Sequence, residues 1–106
     1  MPATVFVTQD SPGRNFFPAL KYGELVPLFP GNAQVVLSAT PTIRSLKTKL
    51  KNFNDEDFLL LTGDPVIMGL SITIALELNL GRAKLLKWDR QERDYFPVTI
   101  NLHEKG

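Results

Sequence analysis

The residues of this chain that could do chemistry gather in two short loops. One is Thr8-Gln9-Asp10-Ser11-Pro12-Gly13 and the other is Thr62-Gly63-Asp64. Each follows an apolar run, and the second leads directly into Pro65 and a long apolar stretch. A glycine turn that opens a helix offers free N–H groups to an anion. The binding reading is a small phosphate or nucleotide pocket made by Thr8, Gln9, Asp10, Ser11, Gly13, Thr62, Gly63 and Asp64. The structural reading is a turn followed by a well-capped helix. Asp64 favours the second, because its carboxylate would occupy the amides a phosphate needs. Neither G-x-G-x-x-G nor G-x-x-x-x-G-K-[ST] occurs.

Other chemistry has less to work with. Asp10 and Asp64 could converge on a divalent cation, but two carboxylates are too few to specify one. No metal or cofactor is expected. The single histidine, His103, lies near the C-terminal end. Ser11 and Ser38 have no evident base, and an activated hydroxyl needs one in reach. A catalytic role is therefore not expected.

The elements that must position these loops follow from pattern. Residues 4–8 are β-branched and aromatic, a first strand. Residues 15–21 allow one short helical turn. Residues 24–29 form a second strand, placed at a sheet edge by Pro27, which cannot donate to a ladder. Residues 33–39 suit a further short extended piece. Thr40 and Pro41 look like N-cap and first helical residue. Ile43, Leu46, Leu50 and Phe53 then recur at helical spacing. Residues 58–62 are apolar on both faces, as a central parallel strand should be. Asp64 caps a second helix that Gly81 stops at the C′ position. Residues 82–88 and 95–102 make a final hairpin. In it Phe96, Val98, Ile100 and Leu102 alternate onto one face, and Pro97 marks a second edge.

Two helical crossovers, each right-handed, make strands two, three and four parallel. The expected fold is a single α/β domain over residues 1–106, three-layer-like, with residues 103–106 a frayed tail. Its mostly parallel five-stranded sheet has the order 2-1-3-4-5, strand five antiparallel, and both main helices on one face. Ligands favour the crevice where strand order reverses, here between strands one and three. The connection between the first two strands is short and rich in proline and glycine. It should cover the second face poorly, leaving Phe6 and Tyr95 on open surface among Thr4, Thr8 and Thr99.

Composition bounds the function classes. The chain of 106 residues has no cysteine and a formal net charge of +1. That excludes disulfides and thiolate sites, and no bulk field draws it to nucleic acid or membrane. The start shows no leader pattern. The longest apolar stretch, residues 66–80, is short of the roughly 20 residues a membrane span needs. Two basic groups exist: Arg44, Lys47, Lys49 and Lys51 on the first helix, and Arg82, Lys84, Lys87, Arg90 and Arg93 with Trp88 and Tyr95 around the hairpin. Basic residues among aromatics can bind single strands. Nearby acids offset both groups, and Trp88 shares a strand with core residues and should be buried. Nucleic-acid binding is therefore the weakest reading.

The second helix is the odd element. Apolar residues run nearly all round it, leaving only Gly69, Thr73 and Glu77 as a polar line. Such a helix should be buried on all sides. Either residues 15–21 or the tail wraps over it, or a second protein chain does. The candidate interface is Ile67, Leu70, Ile74 and Leu78, with Phe6 and Tyr95.

Residues 10–31 carry a resemblance, above all Lys21-Tyr22-Gly23-Glu24-Leu25-Val26 and the Pro30-Gly31 that follows. So do Phe58-Leu59-Leu60-Leu61-Thr62-Gly63-Asp64-Pro65-Val66 and Leu85-Leu86-Lys87-Trp88-Asp89-Arg90. Together they resemble small proteins encoded in tailed bacteriophage genomes, over most of the chain. This chain has Pro27 where those proteins often carry an aromatic, and Gly13-Arg14-Asn15 where they often carry a His-Asp pair. The resemblance implies expression in a bacterial host cytoplasm, where small phage proteins often bind host machinery. It supplies no catalytic residue. The preferred expectation is a non-enzymatic interaction protein, homo-oligomeric and able to bind a host protein. The alternatives are a nucleotide or anion binder at the switch point, then a weak nucleic-acid binder.

Overall fold

A computed structural model describes residues 3–104. Its elements are β1 (Thr4–Val7), a 3-10 segment (Phe17–Tyr22), β2 (Glu24–Pro27), α1 (Thr40–Lys49), β3 (Phe58–Leu60), α2 (Pro65–Leu78), β4 (Arg82–Asp89) and β5 (Asp94–Asn101). They form one five-stranded sheet of order β2-β1-β3-β4-β5. All neighbours are parallel except β4 and β5. This is the order expected from the two proline-marked edges and the right-handed crossovers.

Proline places both edges, and the ladder shows how. Leu61 donates its amide to the Leu86 carbonyl at 3.4 Å, so that carbonyl points at β3. The Leu86–Pro97 pair across the hairpin therefore exchanges no hydrogen bonds, and the proline nitrogen faces the open edge. The neighbouring outward amide, Tyr95, is taken by its own strand's Asp94 Oδ1 at 2.8 Å. An edge so blunted resists pairing with another strand.

Both helices pack on one face. Leu46, Leu50 and Phe53 of the α1 region and Ile74 and Ala75 of α2 meet Leu59 and Ala83 of the sheet. Phe6 belongs to this layer, its ring 6.0 Å from that of Phe53. On the other face Val5, Val7, Phe58, Leu60, Leu86 and Tyr95 pack against Ala19 of the 3-10 segment. The expectation of a poorly covered second face, with Phe6 and Tyr95 exposed on it, is thus corrected. The two aromatics lie on opposite faces, and Tyr95 is only 4% exposed. The connection covers more than its length suggests because Pro18 starts a tight turn that lays Ala19 flat on the strands. Tyr22 then closes it, its ring 5.2 Å from Phe58 and its hydroxyl donating to the Tyr95 carbonyl at 3.0 Å.

Helix α2 is covered by its own chain along one stripe, and Val66 and Leu78 stay exposed. Ile67, Ser71, Ile74 and Ala75 are buried, while Gly69, Thr73 and Glu77 form the expected solvent line. Residues 15–21 lie on the far side of the sheet and do not wrap it. Its end also differs from expectation. Leu80 (φ 57°) occupies the left-handed position, and the Gly81 amide bonds back to the Leu76 carbonyl at 2.7 Å. That is the hydrogen bond of a Schellman cap with leucine at C′ and glycine one residue later.

Residues 33–39 form no strand. They turn outward, leaving Val36 and Leu37 in solvent. The first helix begins at Thr40 itself, with Ala39 as N-cap and Ser38 Oγ accepting from the Thr40 amide at 3.3 Å. Of the tail expected at 103–106, His103 packs on Gly81, and residues 105–106 lie outside the described range.

Candidate functional site

The loops at the switch point do come together, but they are bonded to each other. Thr8, fully buried, donates its hydroxyl to the Thr62 carbonyl at 2.6 Å and accepts the Thr62 amide at 2.9 Å. Gln9 fills the space beside it. Its Oε1 accepts the Asp64 amide at 2.7 Å, and its Nε2 donates to the carbonyls of Pro30 and Ala33 at 3.0 and 2.7 Å. Asp64 Oδ1 accepts the Val66 amide at 2.7 Å, a regular N-cap. Pro65 has no amide to offer. Two of the donors a phosphate would need at the start of α2, the amides of Asp64 and Val66, are thus engaged by Gln9 and Asp64.

The remaining residues of that nomination face elsewhere. Asp10 Oδ1 turns back to the Ser11 amide at 2.9 Å. Gly13 (φ 85°) turns the chain with open space around it. Asp10 is committed to the next amide of its own loop, and Asp64 accepts the Val66 amide and, at 3.5 Å, that of Val35. Among the described residues no three His, Asp or Glu side chains gather as a metal site.

A different crevice lies at the same end of the sheet, on the face opposite the helices. It has a volume of about 260 Å³ and is lined by Arg14, Asn15, Pro18, Trp88 and Tyr95. The loop after β1 supplies Arg14, whose guanidinium reaches Thr62 Oγ1 at 3.4 Å. The C-terminal end of β4 supplies Trp88, directly across from Tyr95, the two rings edge to face with centroids 4.9 Å apart. Trp88 is 38% exposed, so the expectation that it is buried is corrected. The strand pattern continues to residue 88, but the 3-10 segment ends its cover at Tyr95. Burial holds the Tyr95 phenol above its ordinary value of 10.0, an effect the Arg14 guanidinium opposes. Asn15 spends its Oδ1 on the Phe17 amide at 2.9 Å.

Three ion pairs occur among the described residues, and one of them, Lys21–Asp94, lies at this end of the sheet. Lys21 pairs with Asp94, which holds the lysine above and the carboxyl below their ordinary values. Arg82 binds Asp55 through two nitrogens at 3.1 and 3.2 Å, and with Asn79 it holds that carboxyl low. On the first helix Lys47 reaches Glu77 of α2 at 3.8 Å, and Lys49 lies 4.3 Å over the Phe29 ring. The basic helix face is therefore partly spent on internal contacts. Among the described residues Arg14 takes part in none of these ion pairs.

The nominated interface residues divide. Ile67 and Ile74 are buried at 1% and 3%, and Tyr95 is buried as well. None of the three can meet a partner. Phe6 and Leu70 are half-buried in the helix-side core, and Leu78 is exposed. Phe17, Leu20, Val36, Leu37 and Val66 are exposed on other segments, and a further line of exposed apolar residues lies on β5. Phe96 and Val98, with half-buried Ile100, share the helix-side face beyond the reach of α2. The line continues into Leu102, whose amide binds the Gly81 carbonyl at 2.9 Å. There Leu102 and Leu80 line a shallow depression with Leu76. The alternation of Phe96, Val98, Ile100 and Leu102 was legible in sequence. What the sequence hid was that no helix covers it.

The fold defines a small α/β protein with a five-stranded mixed sheet. Residues 3–102 match the family model of the Phage Pam3 gp32-like proteins, and the chain belongs to that family. No curated protein and no solved structure matches it. Among the described residues no helix is long and apolar enough to cross a membrane.

Proposed function

We propose that this phage protein is a non-catalytic interaction module that self-associates, in the host cytoplasm, through the apolar strip of β5 and the end of α2. A bacterial host protein is the further partner this reading allows. The observation that carries it is the run Phe96, Val98, Leu102 and Leu80, exposed at 39%, 39%, 64% and 71%. It stands on a regular strand and a helix terminus. Contiguous apolar surface on such rigid elements marks interaction sites more often than chance exposure does. The blunted β5 edge argues that contact is face to face, not by strand addition.

The reading is tested by analytical ultracentrifugation at about 100 μM, where even weak association in the micromolar range registers. Self-association that Val98→Glu abolishes, with the fold retained by circular dichroism, supports it. A strict monomer at that concentration overturns it.

A further inference from the structure

We propose that the crevice between Arg14 and Trp88 binds a nucleoside phosphate unit, its base stacked on the Trp88 indole and its phosphate held by Arg14. This goes beyond the self-association reading and does not depend on it.

Three observations converge. The first is place: Arg14 follows β1 and Trp88 ends β4, so both sit at the carboxyl ends of parallel strands, where open α/β sheets take their ligands. The second is charge. Arg14 stands in none of the described ion pairs, is held against Thr62, and no carboxylate lines the crevice. A guanidinium so placed presents its fork of donors to an anion and suits phosphate. The third is shape. The Trp88 indole is 38% exposed and braced edge-on by buried Tyr95, which fixes the plane it offers. Stacking on such a ring accepts any base, since each has a π-face.

The remaining walls fit the same ligand. Pro18 adds an apolar wall, and Asn15 retains its amide N–H₂ because only its oxygen is engaged. At about 260 Å³ the crevice falls just below the usual range for ligand pockets. It suits one nucleotide and not a dinucleotide. An acidic peptide would also seek Arg14. Acidic peptide motifs are taken by clusters of arginines, however, and this crevice is lined by a single one.

Trp88 is the only tryptophan, so its fluorescence and its indole N–H resonance report on this crevice alone. The protein is titrated with adenosine 5′-monophosphate, with inorganic phosphate, and with a short oligodeoxythymidylate. The expected result is a saturable change at Trp88 with the nucleotide in the millimolar range and a weaker one with phosphate. Saturation by the mononucleotide marks a free nucleotide as the source. A response to the oligonucleotide alone, falling with salt, marks a single strand. Arg14→Ala should weaken binding about tenfold without shifting the melting temperature, and Arg14→Lys should weaken it less. No saturable response to either nucleotide probe overturns the proposal. So does undiminished binding in Arg14→Ala.

Discussion

Gln9 and Gly63 fit each other as a side chain and the hollow it fills. A Cβ on residue 63 would stand 2.2 Å from Gln9 Oε1, and the glycine sits at φ 97°. The amide of Gln9 ties three segments at that point: the turn after β2, the loop before α1 and the start of α2. The switch-point crevice of this sheet is therefore closed by the protein's own polar side chain.

Gly63→Ala should destabilise by about 2–5 kcal/mol, combining left-handed strain with overpacking. Gln9→Ala should cost about 3 kcal/mol, roughly 1 kcal/mol for each hydrogen bond removed. The double variant should recover only about 0.5–1 kcal/mol of the sum, because Gln9→Ala removes the Oε1 and Cδ that the new methyl would meet but keeps the Cβ, 2.5 Å from it. Urea unfolding of the four proteins measures the cycle. Strict additivity would show that Gln9 does not fill the hollow.

Thr8 makes a separable prediction. Its hydroxyl is fully buried and serves both the amide and the carbonyl of Thr62. Thr8→Val keeps the shape but strands both groups, at a cost of about 1–3 kcal/mol. Thr8→Ser keeps the hydroxyl and should lose less. Equal losses in the two variants would mean that packing, not the hydrogen bonds, makes Thr8 matter.

Strand order was legible because its signals are local and strong. Pro27 and Pro97 mark edges by lacking a donor, and Phe58 to Leu60 read as central because both their faces are apolar. Asp64 and Pro65 likewise announced the start of α2. The reach of side chains was not legible. Nothing in the spacing says that Gln9 turns inward to three distant partners, or that Arg14 extends to Thr62. The same limit explains the interface. Ile67 and Val98 are equally apolar in sequence, yet the first is buried at 1% and the second is 39% exposed. Leu80 was missed because glycine at 81 looked like the cap, and a leucine in the left-handed region carries no sequence signal.

Acid should weaken the fold through Asp55 and Asp94. Both carboxyls are held below their ordinary 3.8, chiefly by hydrogen bonds to Arg82 and to Lys21. A folded-state value below the unfolded one contributes stability above the unfolded value, lost as pH falls through the folded one. Tyr95 acts at the other end. Its raised value means the fold holds the proton, so stability declines as pH rises past 10.0. Melting curves taken below pH 4 should show a shallower decline for Asp55→Asn than for the parent. Parallel declines would show that the Asp55–Arg82 pair contributes nothing in solution, a common outcome for exposed pairs.

Leu80 poses a conflict that function would explain. It occupies the left-handed region at φ 57° and is 71% exposed, so its conformation costs energy and its side chain gains little from its own chain. Leu80→Gly relieves about 1–2 kcal/mol of strain and loses about 0.5–1 kcal/mol to glycine's freedom in the unfolded state. The dilute protein should therefore be stabilised by about 0.5–1 kcal/mol. If Leu80 belongs to the self-association surface with Leu102, the same change should weaken association in the ultracentrifuge. Two readouts moving in opposite directions would mark a residue kept for contact at the expense of its own fold. Stabilisation with association unchanged would remove Leu80 from the interface, and destabilisation of the dilute protein would refute the strain argument itself.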